Sequence, residues 1–167
     1  QESLPAIQKI ILKNKYSSVY ILCDENTENY CLPSFVEFAE LESAGLMIIG
    51  PGESAKTLDT VSDICTSLLA EGADRKALLI NLGGGVVSDI GGFVASIYKR
   101  GIDFINVPTT LLAMVDASVG GKTGVNLSGV KNSVGVFSSP KAVFIDPDFL
   151  TTLSDEEFHG GFAEVIK

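Results

Sequence analysis

The segment ALLINLGGGVVSD, residues 77–89, contains the signals that decide the fold. Residues 77–82 form a short apolar run, which is typical of a strand buried on both faces of a parallel sheet. Three glycines then break the run, and the small-residue segment 86–99 is predicted to be a helix. Glycines at such a junction let backbone N–H groups approach a phosphate that the helix N-terminus also attracts. A tight turn without a ligand looks the same, so the glycines alone leave both interpretations open.

Short apolar strands and helical segments alternate on both sides of this junction. The patterns predict strands at residues 19–23, 46–49, 104–107 and 142–146, and helices at 34–43, 58–69 and 111–115. Gly72 stands where a C′ glycine belongs, and residues 4–12 fit either a short helix or an edge strand. The alternation predicts an α/β fold with an open, mostly parallel sheet and right-handed crossovers.

Three further segments complete the prediction. Residues 24–26 are polar and predict a turn, and the glycine-rich residues 120–135 predict a long loop. Ser154 with Glu157 three residues later predicts a capping box that opens a C-terminal helix. His159, the single histidine, has no second histidine to complete a metal site, so we expect it to be structural or exposed.

Composition narrows the class of protein. The 167 residues, 46% of them hydrophobic, suffice for one domain with a core. No apolar run approaches the ~20 residues of a membrane span and no secretory signal is visible, so we expect a soluble, cytoplasmic protein. Three cysteines without CxxC spacing predict free, buried thiols. Twelve basic and 21 acidic side chains, a formal charge of −9, oppose binding to nucleic acids.

Polar residues follow the predicted strands at their carboxyl ends, where open α/β sheets bind ligands. Asp24 can hold ribose hydroxyls there, although a turn-capping role is equally open. The other candidates of this kind are Glu53, Lys56, Asp89, Thr109 and Thr110. Each has an ordinary structural alternative as a cap or a solvated loop residue.

The segment 116–132 offers the clearest anion site. Lys122 lies among glycines, Lys131 and Asn132 add a second cation and an amide, and Asp116 precedes them on a predicted helix. Backbone donors and an ammonium group can converge on an anion in such a segment. Long structureless loops are usually functional, which favours binding over a mobile surface loop.

Six motifs together resemble the dehydroquinate synthase family in order and spacing. They are GGGVVSD (83–89), YKRG (98–101), PTTLLA (108–113), VDASVGGKTG (115–124), KN (131–132) and GFAEVIK (161–167). Ser88 departs from the pattern, because the family commonly has glycine there. The resemblance implies a Rossmann-like NAD-binding domain at 1–152 and, at 153–167, the first helix of a helical metal-binding domain that this chain otherwise lacks.

The resemblance also implies roles for individual residues. NAD would be contacted by Asp24, Glu53, Lys56, Gly84, Gly85, Asp89, Thr109, Thr110, Lys122, Lys131 and Thr152. The substrate, a phosphorylated keto-acid sugar, would be handled by Asp116, Lys122, Asn132 and Lys167. Arg100 would reach the phosphate site of a neighbouring subunit, which implies a homodimer. Glu164 would be the carboxylate ligand of a catalytic zinc or cobalt ion, although Glu164 and Lys167 also fit an ordinary surface ion pair on one helix face.

The family's reaction uses NAD to oxidise a secondary alcohol, which acidifies the neighbouring C–H bond so that phosphate leaves by β-elimination. Reduction, ring opening and an aldol closure then give 3-dehydroquinate. The family's zinc also takes two histidines from the second domain, so we expect this piece alone not to turn over substrate. The alternatives are an inosose- or valiolone-type cyclase, a metal-dependent glycerol or alcohol dehydrogenase, and a non-catalytic nucleotide-binding module.

Overall fold

A five-stranded parallel sheet forms the centre of the protein. The computed structural model describes the backbone of residues 4–166 and their side chains except those of 4, 5, 163, 164 and 166. The strands are β1 (Ser18–Asp24), β2 (Gly45–Ile49), β3 (Ala77–Gly83), β4 (Asp103–Pro108), β5 (Lys122–Leu127), β6 (Val130–Phe137) and β7 (Ala142–Val143). The sheet has the order β2-β1-β3-β4-β7, with every pairing parallel. The predicted α/β class is confirmed.

Helices cover both faces of this sheet. They are α1 (Leu4–Asn14), α2 (Glu25–Tyr30), α3 (Leu32–Ala39), α4 (Leu58–Ala70), α5 (Gly85–Ile97) and α6 (Asp155–Ile166). One core cluster lies between the sheet and helices α4 and α5, and a second lies between the sheet and helices α1 and α3. The first segment, left open by the sequence, is therefore a helix.

Strand β3 carries side chains into both cores. All seven of its residues are buried, as the run of apolar residues predicts. Leu79 packs in the α4–α5 core, whereas Leu78 and Ile80 pack in the α1–α3 core. Each of these side chains is fully buried, and truncating such a residue to alanine typically costs 2–5 kcal/mol. The strand therefore joins the two halves of the hydrophobic core.

The prediction of a long loop at 120–135 is wrong. Strands β5 and β6 form an antiparallel hairpin that packs on α5, with Val125 fully buried in the α4–α5 core. The glycines allow the close approach of its strands, since a Cβ atom on Gly135 would collide with the Thr123 carbonyl oxygen. In the sequence these glycines indicate a loop, but in the structure they allow two strands to pack closely. Local sequence patterns do not distinguish these two roles.

Four smaller predictions also need correction. The polar residues 24–26 are not a simple turn, because Asp24 caps α2, which begins at Glu25. Helix α3 ends at Ala39 rather than at residue 43, since Glu40 has a left-handed φ of 51°. Strand β7 stops at Val143, and Asp146 instead caps the 3-10 helix Pro147–Thr152. The helix predicted at 111–115 continues as a π-helix at Ala113–Ala117.

Other local predictions are confirmed. Gly72 follows α4 with φ 76°, and Ser154 Oγ accepts a hydrogen bond from the Glu157 backbone N–H at 3.3 Å, which is the N-cap half of the predicted capping box. All three cysteines are free thiols, with Cys23 and Cys31 buried and the third, at position 65, half-buried. Burial raises the pKa of the Cys23 thiol to about 12, so it is not a reactive thiolate at neutral pH. Over the described residues, no helix combines the length and apolar character that crossing a membrane requires.

Ser88 gives a test of the packing between α5 and the sheet. Its side chain is buried and its Oγ has no hydrogen-bond partner among the described residues. We expect Ser88→Ala to raise the free energy of unfolding by about 1 kcal/mol, because it removes a desolvated hydroxyl group. Denaturant titration measures the change. Ser96→Ala on the same helix is the control, because Ser96 Oγ donates to the Gly92 carbonyl at 2.6 Å. A destabilised Ser88→Ala protein would contradict the expectation.

Candidate functional site

A cavity of about 490 Å³ lies at the N-terminal end of α5, between that helix, the π-helix and the β5–β6 hairpin. Four residues predicted from sequence line it: Asp89, Asp116, Lys122 and Asn132. The remaining wall is formed by Ala117, Gly120, Thr123, Gly124, Ser133, Gly135, Val136 and Phe137. The fold thus brings together residues that are up to 43 positions apart along the chain (from 89 to 132).

The glycine junction between β3 and α5 has an open helix N-terminus. Gly84 is the N-cap of α5, and no side chain caps the first turn. A Cβ atom on Gly84 would lie 3.0 Å from Thr110 Cγ2, and one on Gly85 would lie 3.3 Å from Ala117 Cβ. These glycines keep the junction narrow, and the N–H groups of the first helical turn are suited to binding an anion.

A buried lysine connects the junction to the hairpin. The side chain of Lys56 is only 5% exposed, and its Nζ lies 2.5 Å from Asp89 Oδ2 on α5. The same Nζ donates to Asn132 Oδ1 on the hairpin, also at 2.5 Å. This ammonium group therefore holds two walls of the cavity together.

The two carboxylates near Lys56 have opposite pKa shifts. Burial raises the pKa of Asp89 above its usual value, while the hydrogen bond and charge of Lys56 act in the other direction. The Asn126 amide, which donates to Glu53, lowers the pKa of Glu53. Asp89 thus depends on Lys56 for its charge balance, whereas Glu53 is held as a carboxylate by a neutral donor.

Asn126, which was not among the predicted site residues, anchors the hairpin. Its Nδ2 donates to Glu53 Oε1 at 2.9 Å, its backbone N–H donates to the Lys56 carbonyl at 2.9 Å, and its Oδ1 accepts from the Asn132 N–H at 2.9 Å. Residues 53 and 126 are 73 positions apart. No local sequence signal reveals a contact of this range.

Other predicted residues have structural partners of their own. Asp24 Oδ1 accepts from the Thr27 N–H at 2.8 Å, which is the capping role left open by the sequence. Thr110 Oγ1 accepts from the Ala113 N–H at 3.2 Å. Thr109 is buried, and Thr152 Oγ1 donates to the Phe149 carbonyl at 2.7 Å. These contacts position the loops at the carboxyl edge and do not by themselves indicate a ligand.

The remaining predicted residues do not line the cavity or lie outside the residues that the structure describes. Lys131 Nζ is 3.7 Å from Glu53 Oε1, and its side chain is 75% exposed. Arg100 is exposed and follows the C-terminal end of α5, whereas the cavity lies at the N-terminal end. His159 is exposed, as expected. The side chain of Glu164 and the whole of Lys167 lie outside the described residues.

A metal ion has no complete ligand set in the part of the chain that the structure describes. Across those residues, no three or more His, Cys, Asp and Glu side chains are grouped to hold one. A catalytic zinc site normally needs three protein ligands. The described residues alone therefore do not fit a catalytic metal.

Comparison with known proteins gives a consistent family signal. The family profile for the 3-dehydroquinate synthase N-terminal domain matches residues 46–160. A protein named 3-dehydroquinate synthase from Parabacteroides distasonis is 45% identical over 161 residues, which are 96% of this chain and 46% of that protein. The chain thus spans about half the length of the curated relatives it matches.

Two solved structures with similar folds are sugar-phosphate cyclases. One is 2-deoxy-scyllo-inosose synthase complexed with carbaglucose-6-phosphate, NAD+ and Co2+, with a TM-score of 0.87 and 29% identity over 98% of this chain and 45% of that one. The other is ValA, a 2-epi-5-epi-valiolone synthase from Streptomyces hygroscopicus with NAD+ and Zn2+ bound. Its TM-score is 0.82, with 33% identity over 92% of this chain and 44% of that one.

Substituting Lys56 tests its role as the link between α5 and the hairpin. We expect Lys56→Met to lower the free energy of unfolding by about 3 kcal/mol, because it leaves the Asp89 carboxylate buried without its cation. The double variant Lys56→Met with Asp89→Asn should lose less than Lys56→Met alone. Lys131→Met is the matched control, since its exposed ion pair is worth less than about 1 kcal/mol. Equal losses for the two lysine variants in denaturant titrations would refute the link.

Proposed function

We propose, because this chain belongs to the 3-dehydroquinate synthase family, that it forms the nucleotide-binding part of an enzyme making 3-dehydroquinate. The proposed substrate is 3-deoxy-D-arabino-heptulosonate 7-phosphate, and inorganic phosphate is the second product. The observation that carries the proposal is the cavity in which Asp89, Asp116, Lys122 and Asn132 meet beside the glycine junction of α5. The curated relatives with 45–50% identity carry the same name.

NAD is the cofactor that we propose for the glycine junction. The uncapped N-terminus of α5 and the glycines at 84 and 85 support binding of its pyrophosphate. The solved 2-deoxy-scyllo-inosose synthase and ValA structures both contain bound NAD+. Bound NAD supplies a hydride acceptor that is regenerated within one turnover. We propose that its further contacts are the side chains of Asp24, Glu53, Lys56, Asp89, Thr109, Thr110, Lys122, Lys131 and Thr152.

The substrate phosphate is proposed to bind at Lys122 and Asn132. Lys122 is exposed at the first position of β5 and lines the cavity, where its ammonium group can neutralise a departing phosphate. Because Lys56 donates to Asn132 Oδ1, the amide Nδ2 is the end of Asn132 left to donate to a ligand. Asp116 on the π-helix is proposed to orient the reacting hydroxyl groups. With a net charge of −9, the protein must bind phosphate through a few placed donors such as these.

Three parts of the proposal concern what lies outside the cavity. Glu164 is proposed as one carboxylate ligand of zinc or cobalt, with further ligands from residues beyond those described. Arg100, exposed at the far end of α5, is proposed to serve the phosphate site of a second subunit in a homodimer. Residues 1–152 are proposed to be the NAD-binding domain, and residues 153–167 the start of a second domain to which Lys167 contributes a substrate contact.

Phosphate release by the full-length protein tests the activity. We expect NAD-dependent release from 3-deoxy-D-arabino-heptulosonate 7-phosphate, and a loss of about 100-fold in kcat for Lys122→Met, because a preorganised charge on the leaving group is removed. Lys76→Met, an exposed lysine remote from the cavity, is the control. Release from a hexose 6-phosphate instead would favour an inosose-type cyclase.

The 167-residue chain by itself is expected to be inactive. Its described residues do not complete a catalytic metal site, so the hydride and elimination steps lack a part of their environment. The same phosphate-release assay on the purified chain, with zinc or cobalt added, measures this. Turnover at a rate comparable to the full-length enzyme would show that residues outside this chain are not needed.

A further inference from the structure

Two asparagines are buried in the middle of the otherwise apolar central strands. Asn81 on β3 and Asn106 on β4 are register partners in the parallel sheet, and they are 0% and 4% exposed. Their neighbours along both strands are almost all apolar side chains that fill the two cores. Burying an amide is costly unless its donors and acceptors are paired, so the placement calls for an explanation beyond packing.

The two amides form a relay that runs toward the π-helix. Asn81 Nδ2 donates to Asn106 Oδ1 at 2.9 Å, and Asn106 Nδ2 donates to the Ser118 carbonyl at 3.0 Å. Because a carbonyl only accepts, Asn106 must present its NH2 group to Ser118, and Asn81 must then present its own NH2 group to Asn106. The orientation of both amides is therefore fixed by the backbone of Ser118.

The last residue of the relay closes the π-helix. Ser118 Oγ donates to the Ala113 carbonyl at 2.6 Å, and the Ser118 backbone N–H donates to the same carbonyl at 3.1 Å. The second of these is the i to i+5 bond that defines a π-turn, which is rare and is frequently found at functional sites. Asp116 within this turn lines the cavity, as do Gly120 and Lys122 just after it.

The relay leaves one polar atom unpaired, which argues against a purely structural role. Asn81 Oδ1 has no hydrogen-bond partner within the described residues, and a Cβ atom on Gly91 of α5 would collide with it. A pair of leucines would remove the cost of this unpaired oxygen, although it would also remove the donor to the Ser118 carbonyl. Packing alone therefore does not account for Asn81, whose amide oxygen is buried without a partner among the described residues.

We propose that Asn81 and Asn106 are positioning residues, which act through Ser118 to hold the segment Asp116–Lys122 against the cavity. This inference rests on the proposed function, because Asp116 and Lys122 are there assigned to the substrate. The pair itself is buried and does not line the cavity. The central sheet thus fixes the placement of the substrate-side segment, and the nucleotide-side residues Lys56 and Asp89 are held separately by their own ion pair.

The double variant Asn81→Leu with Asn106→Leu, made in the full-length protein, separates positioning from stability. We expect it to stay folded, because losing the unpaired Asn81 oxygen offsets much of the cost of the lost donor to the Ser118 carbonyl. We expect kcat for phosphate release to fall about tenfold or more, as displacements of about 1 Å can cause. The KM for NAD should change less than kcat does, because Lys56 and Asp89 are not substituted. Full activity in a folded double variant would overturn the proposal.

A control and a second variant distinguish the positioning role from a general loss of stability in the two strands. Ile80→Val with Ile105→Val alters register partners on the same two strands but in the opposite core, and it should lower stability without lowering kcat. Ser118→Ala is the alternative test if the leucine pair does not fold. It removes only the hydroxyl bond to the Ala113 carbonyl and should lower kcat about threefold. The loss should shrink in a Lys122→Met background, because both changes act on one segment. Additive losses of kcat for Ser118→Ala and Lys122→Met would show that the two residues act independently, which would contradict the proposal.

Hydrogen exchange gives a readout that does not depend on the substrate. Amides of residues 113–122 should exchange about tenfold faster in the leucine pair than in the wild-type protein, and the valine pair should leave them unchanged. Unaltered exchange there would overturn the positioning role. A wild-type protein that releases no phosphate would instead refute the proposed function, so the two failures are distinguishable.

Discussion

The ion pair between Lys56 and Asp89 is the interaction on which the candidate site depends. Moving an ammonium group out of water costs several kcal/mol, which is offset here by a carboxylate and the amide of Asn132 at 2.5 Å each. The three partners come from the chain after β2, from α5 and from the hairpin. Because they meet at one nitrogen atom, the cavity has its walls only when sheet, helix and hairpin are all assembled.

Glycines allow the sheet, helix α5 and the hairpin to pack closely against one another. Gly91 leaves room for the amide of Asn81, and Gly92 leaves room for Thr123 of the hairpin. Within the hairpin, Gly124 and Gly135 face each other so closely that a Cβ atom on either would strike the opposite backbone. Interiors are packed to a density that a single added methyl group disturbs, so these positions determine how near the hairpin lies to α5.

The central sheet contributes mainly to stability, whereas the polar residues at its carboxyl edge are the ones proposed to bind ligands. Strand β3 is buried along its whole length and supplies most of its side chains to the two cores. Most residues proposed to meet ligands stand beyond its carboxyl end, on loops, turns, the hairpin and the first turns of α5. Side chains on such segments are held precisely only if the elements that support them do not move. In the proposal above, the buried amides of Asn81 and Asn106 provide this support by linking the central strands to the segment that lines the cavity.

The sequence by itself determined the alternation of strands and helices, the buried character of residues 77–82 and the family. These follow from local apolar periodicity and from motifs that are contiguous in the chain. The tertiary structure decided that residues 120–135 form a hairpin packed on α5, and that Lys56 binds Asp89 and Asn132. Those features depend on contacts between residues far apart in sequence, and such contacts exist only when packing brings their partners together.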